Sequence, residues 1–324
     1  YGESVRLFNQ LSEELETNIF FSERGHFTLA HSDATLRTAR WRAEVNKHYG
    51  IDSSVVGPSE VKAACPEIDL ECGGNHPIEG ALFHAPGAVA RHDAVAWGYA
   101  KKACQKGVEI HQNTLVTGIN IEKNRVVSVE TNRGPIKTNT VLSAVAGATP
   151  TVLNMVGLDS PIDIYPLQAC VTEPMKPWLN TIIVSGSLHI YVSQSSRGEL
   201  VMGASVDPIE QHNTKSSYEF VSGMCDQILD LFPFLSSVKI NRQWAGMADM
   251  TPDFAPIMGT TPVDGFFLDS GWGTWGFKAT PVSGKCMANS IALNKDDSLI
   301  TEFNLNRFED FKLVGEKGAA SVGH

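Results

Sequence analysis

The chain of 324 residues contains 42% hydrophobic and 19% charged residues and has a formal net charge of -10. This acidic composition excludes a disordered protein and disfavours one that binds nucleic acid or an anionic membrane through a basic surface. The length allows about two domains at the usual ~150 residues each, which fits an enzyme better than a small binding module.

The apolar runs and the metal-ligating residues narrow the class further. The longest apolar runs, such as residues 141–146, are strand-sized and far shorter than the roughly 18 residues of a membrane span. The six cysteines form no C-x-x-C pair and the ten histidines form no H-x-x-x-H pair, so neither a zinc site nor a disulfide framework is predicted. We expect a cytoplasmic protein without metal.

The first quarter of the chain predicts short, mixed elements. Spaced apolar residues predict a helix that is already in its middle at Tyr1, so we expect the beginning of the protein to lie upstream. Residues 18–29 predict a hairpin that turns at Gly25. A charged helix is expected over 33–49, and four prolines predict that 51–90 is mostly loop.

The rest of the chain alternates between helices and strands without a repeat. A helix is predicted over 91–107, where small residues form one face, followed by a meander of short strands that ends in small residues at 144–147. A second β-rich block covers 161–205 with a hairpin that turns at 195–198, and a helix follows over 217–231. The expected fold class is therefore α/β (α+β), with a chain that crosses between two domains.

The segment GWGTWG, residues 271–276, matches the dinucleotide fingerprint G-x-G-x-x-G and follows a predicted strand at 265–270. We reject a dinucleotide site here because no second buried strand leads to Asp296 and Asp297, and because two tryptophans would crowd the turn. A glycine-rich loop before a helix, which we place at 281–284, instead suits a flat aromatic cofactor with partly anionic oxygens. Flavin is the candidate.

Four motifs carry a resemblance to a known family. They are GWGTWGFKATPVSG (271–284), NRQWAGMADMTPDFAPIMG (241–259), ARHDAVAWGYA (90–100) and GEKGAASVGH (315–324). In this order they resemble the D-amino-acid-oxidase-like flavoproteins, and among them the β subunits of heterotetrameric sarcosine oxidases. Within 241–259, Asp249 and Asp253 are polar residues that we assign to turns rather than to acid–base chemistry.

The resemblance implies an incomplete FAD domain (1–17, 86–160 and 246–324) and a β-sheet substrate domain (18–85 and 161–245). It implies that the Rossmann unit with the true fingerprint precedes Tyr1. FAD is expected to be non-covalent, because Gly246 stands where monomeric sarcosine oxidases attach it to cysteine. FMN is expected on His92, which resembles the histidine that carries it covalently.

The resemblance also implies site residues. Lys278 resembles the lysine that binds the substrate carboxylate, and is the catalytic candidate. The cofactor-binding candidates are His92, Val116, Ala146, Gly147, Gly271, Gly273, Thr274, Gly276, Phe277 and Lys278. His189 and Tyr191 are expected on one face of a hairpin strand, either above the flavin or in ordinary packing.

The implied reaction is flavin-dependent oxidation of sarcosine with oxygen, giving glycine, formaldehyde or methylene-tetrahydrofolate, and hydrogen peroxide. The implied partners are the α, γ and δ subunits of a sarcosine oxidase complex. Two alternatives stay open: a related flavin dehydrogenase for dimethylglycine, opines or D-amino acids, and a non-catalytic fragment or assembly subunit.

Overall fold

The computed structural model describes residues 2–204 and 207–315. Most of the motif at 315–324 therefore lies outside the described residues, as does Tyr1. The helices are α1 Gly2–Glu14, α2 Asp33–His48, α3 Pro58–Ala64, α4 His92–Gln105, α5 Thr149–Met155, α6 Tyr218–Leu231 and α7 Gly276–Leu293. Within these ranges, no helix has both the length and the apolar character needed to cross a membrane.

The strands of the described residues form one large sheet and three small ones. They are β1 Ser22–Glu23, β2 His26–Ala30, β3 Ser53–Val56, β4 Gly80–His84, β5 Ala88–Val89, β6 Val116–Glu122, β7 Arg125–Thr131, β8 Ile136–Lys137, β9 Val141–Ser143, β10 Asp163–Thr172, β11 Ile182–Ser185, β12 Ile190–Gln194, β13 Leu200–Ala204, β14 Ile240–Met250, β15 Ile257–Thr260 and β16 Phe266–Ser270. The large sheet has eight strands in the order β14-β10-β13-β12-β11-β2-β4-β3.

The apolar core of the large sheet lies on one of its two faces. Alternate residues of β2, β11, β12 and β13 pack there against α3 and α6, whose Val61, Phe220, Met224, Ile228 and Leu231 are buried. Because successive strand residues point to opposite faces, His26, Thr28 and Tyr191 project from the other face. The large sheet therefore carries polar residues on the face that is turned away from its apolar core.

A second core lies around the small sheet β15-β16-β9 and the meander β6-β7-β8. Strand β16 pairs antiparallel with β15 and parallel with β9. The long ladder between β10 and β14 connects the two regions, because Cys170 belongs to the first core and Ile164 to the second. The division into an FAD domain and a substrate domain stays a prediction.

Several expected elements are confirmed. Helix α2 ends just before Gly50, whose φ of 71° fits the left-handed end of a helix. The meander turns at Lys123 and Asn124, and the hairpin β12–β13 has antiparallel register. Helix α6 begins after Ser217, which accepts a hydrogen bond from the N–H of Phe220.

The expected hairpin over 18–29 is wrong. Strand β1 pairs with β5, whereas β2 pairs with β4 and with β11. The Gly25 N–H donates to Gly87 O instead of closing a hairpin turn. Long-range pairing therefore overrides the local pattern.

The region 51–90 is also more ordered than expected. Pro58 begins α3 rather than interrupting an element, because proline fits the first helical position. Strand β4 follows in the same region and pairs with both β2 and β3.

Helix α4 differs from its prediction in the face that it buries. Its buried residues are Val95 and Gly98, whereas the sequence predicted that the face of small residues would be buried.

Candidate functional site

The carboxyl ends of two parallel strands, β9 and β16, define the centre of the candidate site. The short 3-10 turn at Ala146–Ala148 follows β9 and leads into α5, and the glycine loop 271–275 follows β16 and leads into α7. The Thr149 hydroxyl donates to the Ser270 hydroxyl at 2.8 Å, which joins the two connections. Ligands bind at such edges in α/β folds. The structure thus brings Ala146 and Gly147 close to the glycine loop.

Gly147 is required by close packing in this region. A Cβ added at Gly147 would lie 2.6 Å from the Cβ of Met247 on β14. Its neighbour Ala146 is exposed and has a φ of 44°, a left-handed conformation that is uncommon outside glycine. The connection after β9 is therefore held in a defined shape against β14.

The N–H groups of the glycine loop are occupied by a carboxylate of the chain itself. Asp249, at the end of β14, accepts hydrogen bonds from the N–H of Gly271 at 2.6 Å and of Gly273 at 3.1 Å. Burial raises the pKa of Asp249, although these backbone donors act in the opposite direction. The loop binds an anion as its composition predicts, but at Gly271 and Gly273 that anion is internal. Both glycines have positive φ, of 72° and 53°.

Helix α7 starts earlier than the sequence indicated. It begins at Gly276 and contains Pro281 in its interior, so the expected start at 281–284 is wrong. Lys278 and Phe277 consequently lie in the first helical turn, where the N–H groups have no intrahelical acceptor. Among residues 2–204 and 207–315, no side chain accepts a hydrogen bond at this end of the helix. Its N–H groups and dipole can therefore stabilise negative charge on a ligand.

The two tryptophans of the loop have different contacts. Trp272 donates from Nε1 to Asp269 Oδ1 at 2.6 Å, and Asp269 also accepts from the Ser283 hydroxyl. Trp275 lies under the ammonium of Lys278, with Nζ 3.8 Å from its ring centroid. One indole thus anchors the loop to α7, and the other stabilises the cation.

The charge of Lys278 acts on two histidines on the face of the large sheet opposite its core. Its ammonium is close enough to lower the pKa of both His26 and His84, which are partners across β2 and β4. The Lys278 carbonyl accepts a hydrogen bond from the Ser4 hydroxyl of α1 at 2.5 Å. The Lys278 ammonium therefore contacts the glycine loop through Trp275 and acts electrostatically on β2 and β4.

Two further predicted site residues, His92 and Val116, lie on elements other than the glycine loop and α7. His92 is exposed at the first position of α4, after Arg91, whose guanidinium pairs with Asp93 at 2.8 Å. Val116 begins β6, and about a third of its surface is exposed. Nothing in the described geometry joins either residue to the glycine loop. Across 2–204 and 207–315, no three His, Cys, Asp or Glu side chains are grouped so as to hold a metal ion.

Sequence reasoning missed two residues near Lys278. His26 and His84 are far apart in the chain and only strand pairing makes them neighbours. The sole local signal was the alternation of apolar and polar residues in HFTLA, which puts His26 and Thr28 on one face. The pair predicted at His189 and Tyr191 does not share a strand, since His189 lies in the preceding turn with a φ of 50°.

The residues around the glycine loop fit the flavin part of FAD. Phe277 exposes 44% of its area at the start of α7, and Val145 exposes 41% in the connection after β9. An aromatic ring with carbonyl oxygens needs both an apolar surface and N–H donors or cations at its polar edge. Thr274 and Gly276 stand at that helix start, and Lys278 supplies the positive charge.

Comparison with known proteins gives a family. The profile of the DAO family, described as FAD dependent oxidoreductase, matches residues 1–290. The sarcosine oxidase subunit beta of Arthrobacter sp is 38% identical over the whole chain and 80% of that protein, and the one of Rhodobacter capsulatus is 39% identical over the whole chain and 78% of that protein. The crystal structure of L-proline dehydrogenase from P. horikoshii superposes with a TM-score of 0.90 at 26% identity, covering 97% of this chain and 83% of that one. The chain therefore belongs to the FAD-dependent oxidoreductase family, as an amine oxidoreductase of the sarcosine oxidase β-subunit type.

Proposed function

We propose that this chain oxidises sarcosine at its N-methyl group with oxygen as the acceptor. The products would be glycine, formaldehyde or methylene-tetrahydrofolate, and hydrogen peroxide. The observation that carries the proposal is Lys278, a cation in the first turn of α7 beside an apolar surface. The similarity to the sarcosine oxidase β subunits supports sarcosine as the substrate.

Lys278 is assigned to hold the substrate carboxylate. Its ammonium lies 3.8 Å from the centroid of the Trp275 ring, so it is held beside the glycine loop at the start of α7. A carboxylate bound there fixes one end of a small amino acid, and the apolar surface of Phe277 excludes water from the other end. FAD, when bound, supplies the acceptor for the hydride of the methyl group.

We assign the cofactor contacts to residues that the sequence analysis predicted for this role. Gly276, Phe277 and Lys278 would contact the isoalloxazine, whereas Gly271 and Gly273 shape the loop through Asp249. Ala146 and Gly147 would contact the same cofactor from the connection after β9, and Val116 its adenine part. FAD would be bound without a covalent bond. A cytoplasmic location is part of the same proposal.

FMN is proposed as a second flavin, attached to a ring nitrogen of His92. The support from the structure is accessibility, because His92 is exposed at the start of α4. The α, γ and δ subunits are proposed as partners. The names of the related β subunits support an assembly of several chains.

Substitution of Lys278 tests the substrate assignment. We expect Lys278→Met to lower kcat/KM for sarcosine by roughly 10- to 100-fold, since a hydrogen bond to a charged group contributes about 1.5–3 kcal/mol. The measurement is anaerobic reduction of the protein-bound flavin at several sarcosine concentrations. Lys285→Met is the matched control, because Lys285 is an exposed lysine of the same helix that pairs with Glu3. Equal effects of the two variants would reject the role of Lys278.

Substitution of His92 tests the covalent flavin. After acid precipitation we expect flavin in the pellet of the parent protein and none in the pellet of His92→Asn. His111→Asn is the control, since His111 is likewise exposed and its Nε2 lies 3.1 Å from a carboxylate oxygen of Glu109. A pellet of His92→Asn that keeps its flavin would place the attachment at another residue.

A further inference from the structure

Two histidines form a pair on the face of the large sheet that is turned away from its apolar core. His26 of β2 and His84 of β4 are directly opposite in antiparallel register. The next pair, Phe27 and Phe83, projects to the other face, where the ring centroids are 4.7 Å apart in the core. Directly opposed residues point to the same side of a sheet. The two imidazoles are therefore neighbours.

The position of His84 is fixed by a chain of hydrogen bonds. Its Nδ1 is 3.0 Å from the Ser53 hydroxyl, and that hydroxyl accepts from the Asn46 side chain at 2.9 Å. His26 is fixed by packing instead. A Cβ at Gly87 would lie 2.4 Å from the Cβ of His26, so only glycine lets the loop after β4 pass this close. Both rings are held before any ligand arrives.

The surroundings of the pair keep His26 neutral. Burial lowers the pKa of His26 to about 4, and both His84 and Lys278 act in the same direction. Burial and Lys278 also lower the pKa of His84, while Asp52 opposes them. The groups that act on His26 are thus His84 from β4 and Lys278 from α7, with Asp52 beyond His84. The packing agrees with this, because the Phe8 ring of α1 lies 5.9 Å from that of Phe277 and 5.7 Å from that of Phe21, which places the start of α7 beside the segment that leads into β2.

A substrate with its carboxylate on Lys278 must put its nitrogen close by. In an α-amino acid the nitrogen and the carboxyl carbon are separated by two bonds, or about 2.5 Å. We infer that His26, supported by His84, accepts a hydrogen bond from the N–H of the substrate while Lys278 holds the carboxylate. This inference rests on the proposed function and adds the group that recognises the amine.

To accept a hydrogen bond from the substrate N–H, the His26 imidazole must be neutral. Neutral imidazole has one acceptor nitrogen, whereas imidazolium only donates and would repel a protonated amine. A carboxylate on Lys278 weakens the field of the ammonium, so ligand binding must raise the proton affinity of both histidines. Acidification below the pKa of His26, about 4 in the free protein, removes the acceptor and weakens substrate binding.

Steady-state kinetics of the flavin-loaded protein test the inference. We expect His26→Leu to raise the KM for sarcosine by roughly tenfold or more, because the amine loses its acceptor. His26→Asn keeps a carbonyl acceptor, so it should recover most of that loss and should lack the fall of kcat/KM near pH 4 that the parent shows. The control is His31→Asn, because the imidazole of His31 hydrogen-bonds to His76 O and Ser185 Oγ.

A second measurement does not depend on turnover. Acetate serves as the carboxylate probe, and NMR of isotope-labelled histidine follows the titration of each ring. We expect acetate to raise the pKa of His26 and His84, to leave that of His31 unchanged, and to have no effect in Lys278→Met. An unchanged His26 titration, or an unchanged KM in His26→Leu, overturns the inference. A parent protein whose flavin is not reduced by sarcosine overturns the proposed function instead.

Discussion

At the scale of single residues, Asp249 determines the shape of the glycine loop. Its two carboxylate oxygens accept from the N–H groups of Gly271 and Gly273, and it is almost fully buried. The positive φ of both glycines turns their N–H groups inward to one point. The loop is therefore preformed before a ligand binds, and the helix start after it is oriented by the same carboxylate.

Replacement of Asp249 should loosen the loop and destabilise the protein. In Asp249→Ala, the buried N–H of Gly271 loses its acceptor, which costs about 1–3 kcal/mol when no water replaces it, whereas the N–H of Gly273 keeps the backbone carbonyl of residue 249 at 3.1 Å. We expect the free energy of unfolding to fall by about 1–3 kcal/mol, as measured by denaturant titration. Asp163→Ala is the control, because Asp163 is exposed on the adjoining strand β10. A loss no larger than that of the control would contradict the structural role.

At the scale of elements, α7 shows how a helix tolerates unfavourable residues. Pro281 and Gly284 both lie inside it. Pro281 is buried, so packing compensates for the hydrogen bond that it cannot donate. Gly284 is exposed, and in the described part of the chain no atom outside the backbone of its own helix and its two chain neighbours lies within 4 Å of an added Cβ. The glycine therefore carries an entropic cost that nothing in its surroundings requires.

Substitution of Gly284 should stabilise the helix. We expect Gly284→Ala to raise the free energy of unfolding by about 0.5–1 kcal/mol, because alanine restricts the unfolded chain and fits the helix. Thermal unfolding gives the measurement. Gly147→Ala is the opposite case, since its Cβ would meet Met247 at 2.6 Å. If both alanines destabilised the protein equally, the available space would not be the deciding factor.

The predictable elements are those whose signals are local. Helix α6 combines an N-cap serine with apolar residues at helical spacing, and the meander turns at an Asn that adopts positive φ. The apparent hairpin at Gly25 has equally good local signals, but β2 finds partners at β4 and β11. Strand pairing over 50 or more residues leaves no trace in a single stretch of sequence.

The same limit applies to the candidate site. Lys278 and the glycine loop could be predicted because they are contiguous and motif-rich. His26 and Asp249 could not be assigned their contacts, since each reaches the site from a different strand. Asp249 was expected in a turn and instead ends β14 with its carboxylate directed at the loop.

At the scale of the whole molecule, a buried ion pair attaches the C-terminal segment. Arg307 donates from Nε and Nη2 to Asp253 at 2.8 and 2.9 Å, and also from Nη2 to the Ala255 carbonyl at 2.8 Å. The N–H of Val314 donates to the same carboxylate at 3.0 Å. Arg307 and Asp253 therefore connect the residues after α7 to the loop between β14 and β15.

The electrostatics of this pair give a pH dependence. Burial alone would raise the pKa of Asp253, but the Arg307 guanidinium and the Val314 N–H hold it below its usual value. A carboxyl group with a lowered pKa stabilises the folded state above its unfolded pKa of about 3.9. That contribution is lost as the pH falls through the folded pKa.

Breaking the pair should therefore be most costly near neutral pH. In Arg307→Met the Asp253 carboxylate stays buried without its cation, so we expect a loss of about 3–5 kcal/mol at pH 7. The difference from the parent should begin to narrow above about pH 4, because burial without the cation raises the pKa of Asp253 in the variant, and it should go on narrowing until the pH falls below the lowered pKa of Asp253 in the parent. Denaturant titrations across this pH range measure the difference in the free energy of unfolding between Arg307→Met and the parent. Arg125→Met is the control, since its pair with Asp264 is exposed and contributes at most about 1 kcal/mol. A difference that stayed constant with pH would mean that Arg307 stabilises the segment through packing and its carbonyl contacts, and not through the charge of Asp253.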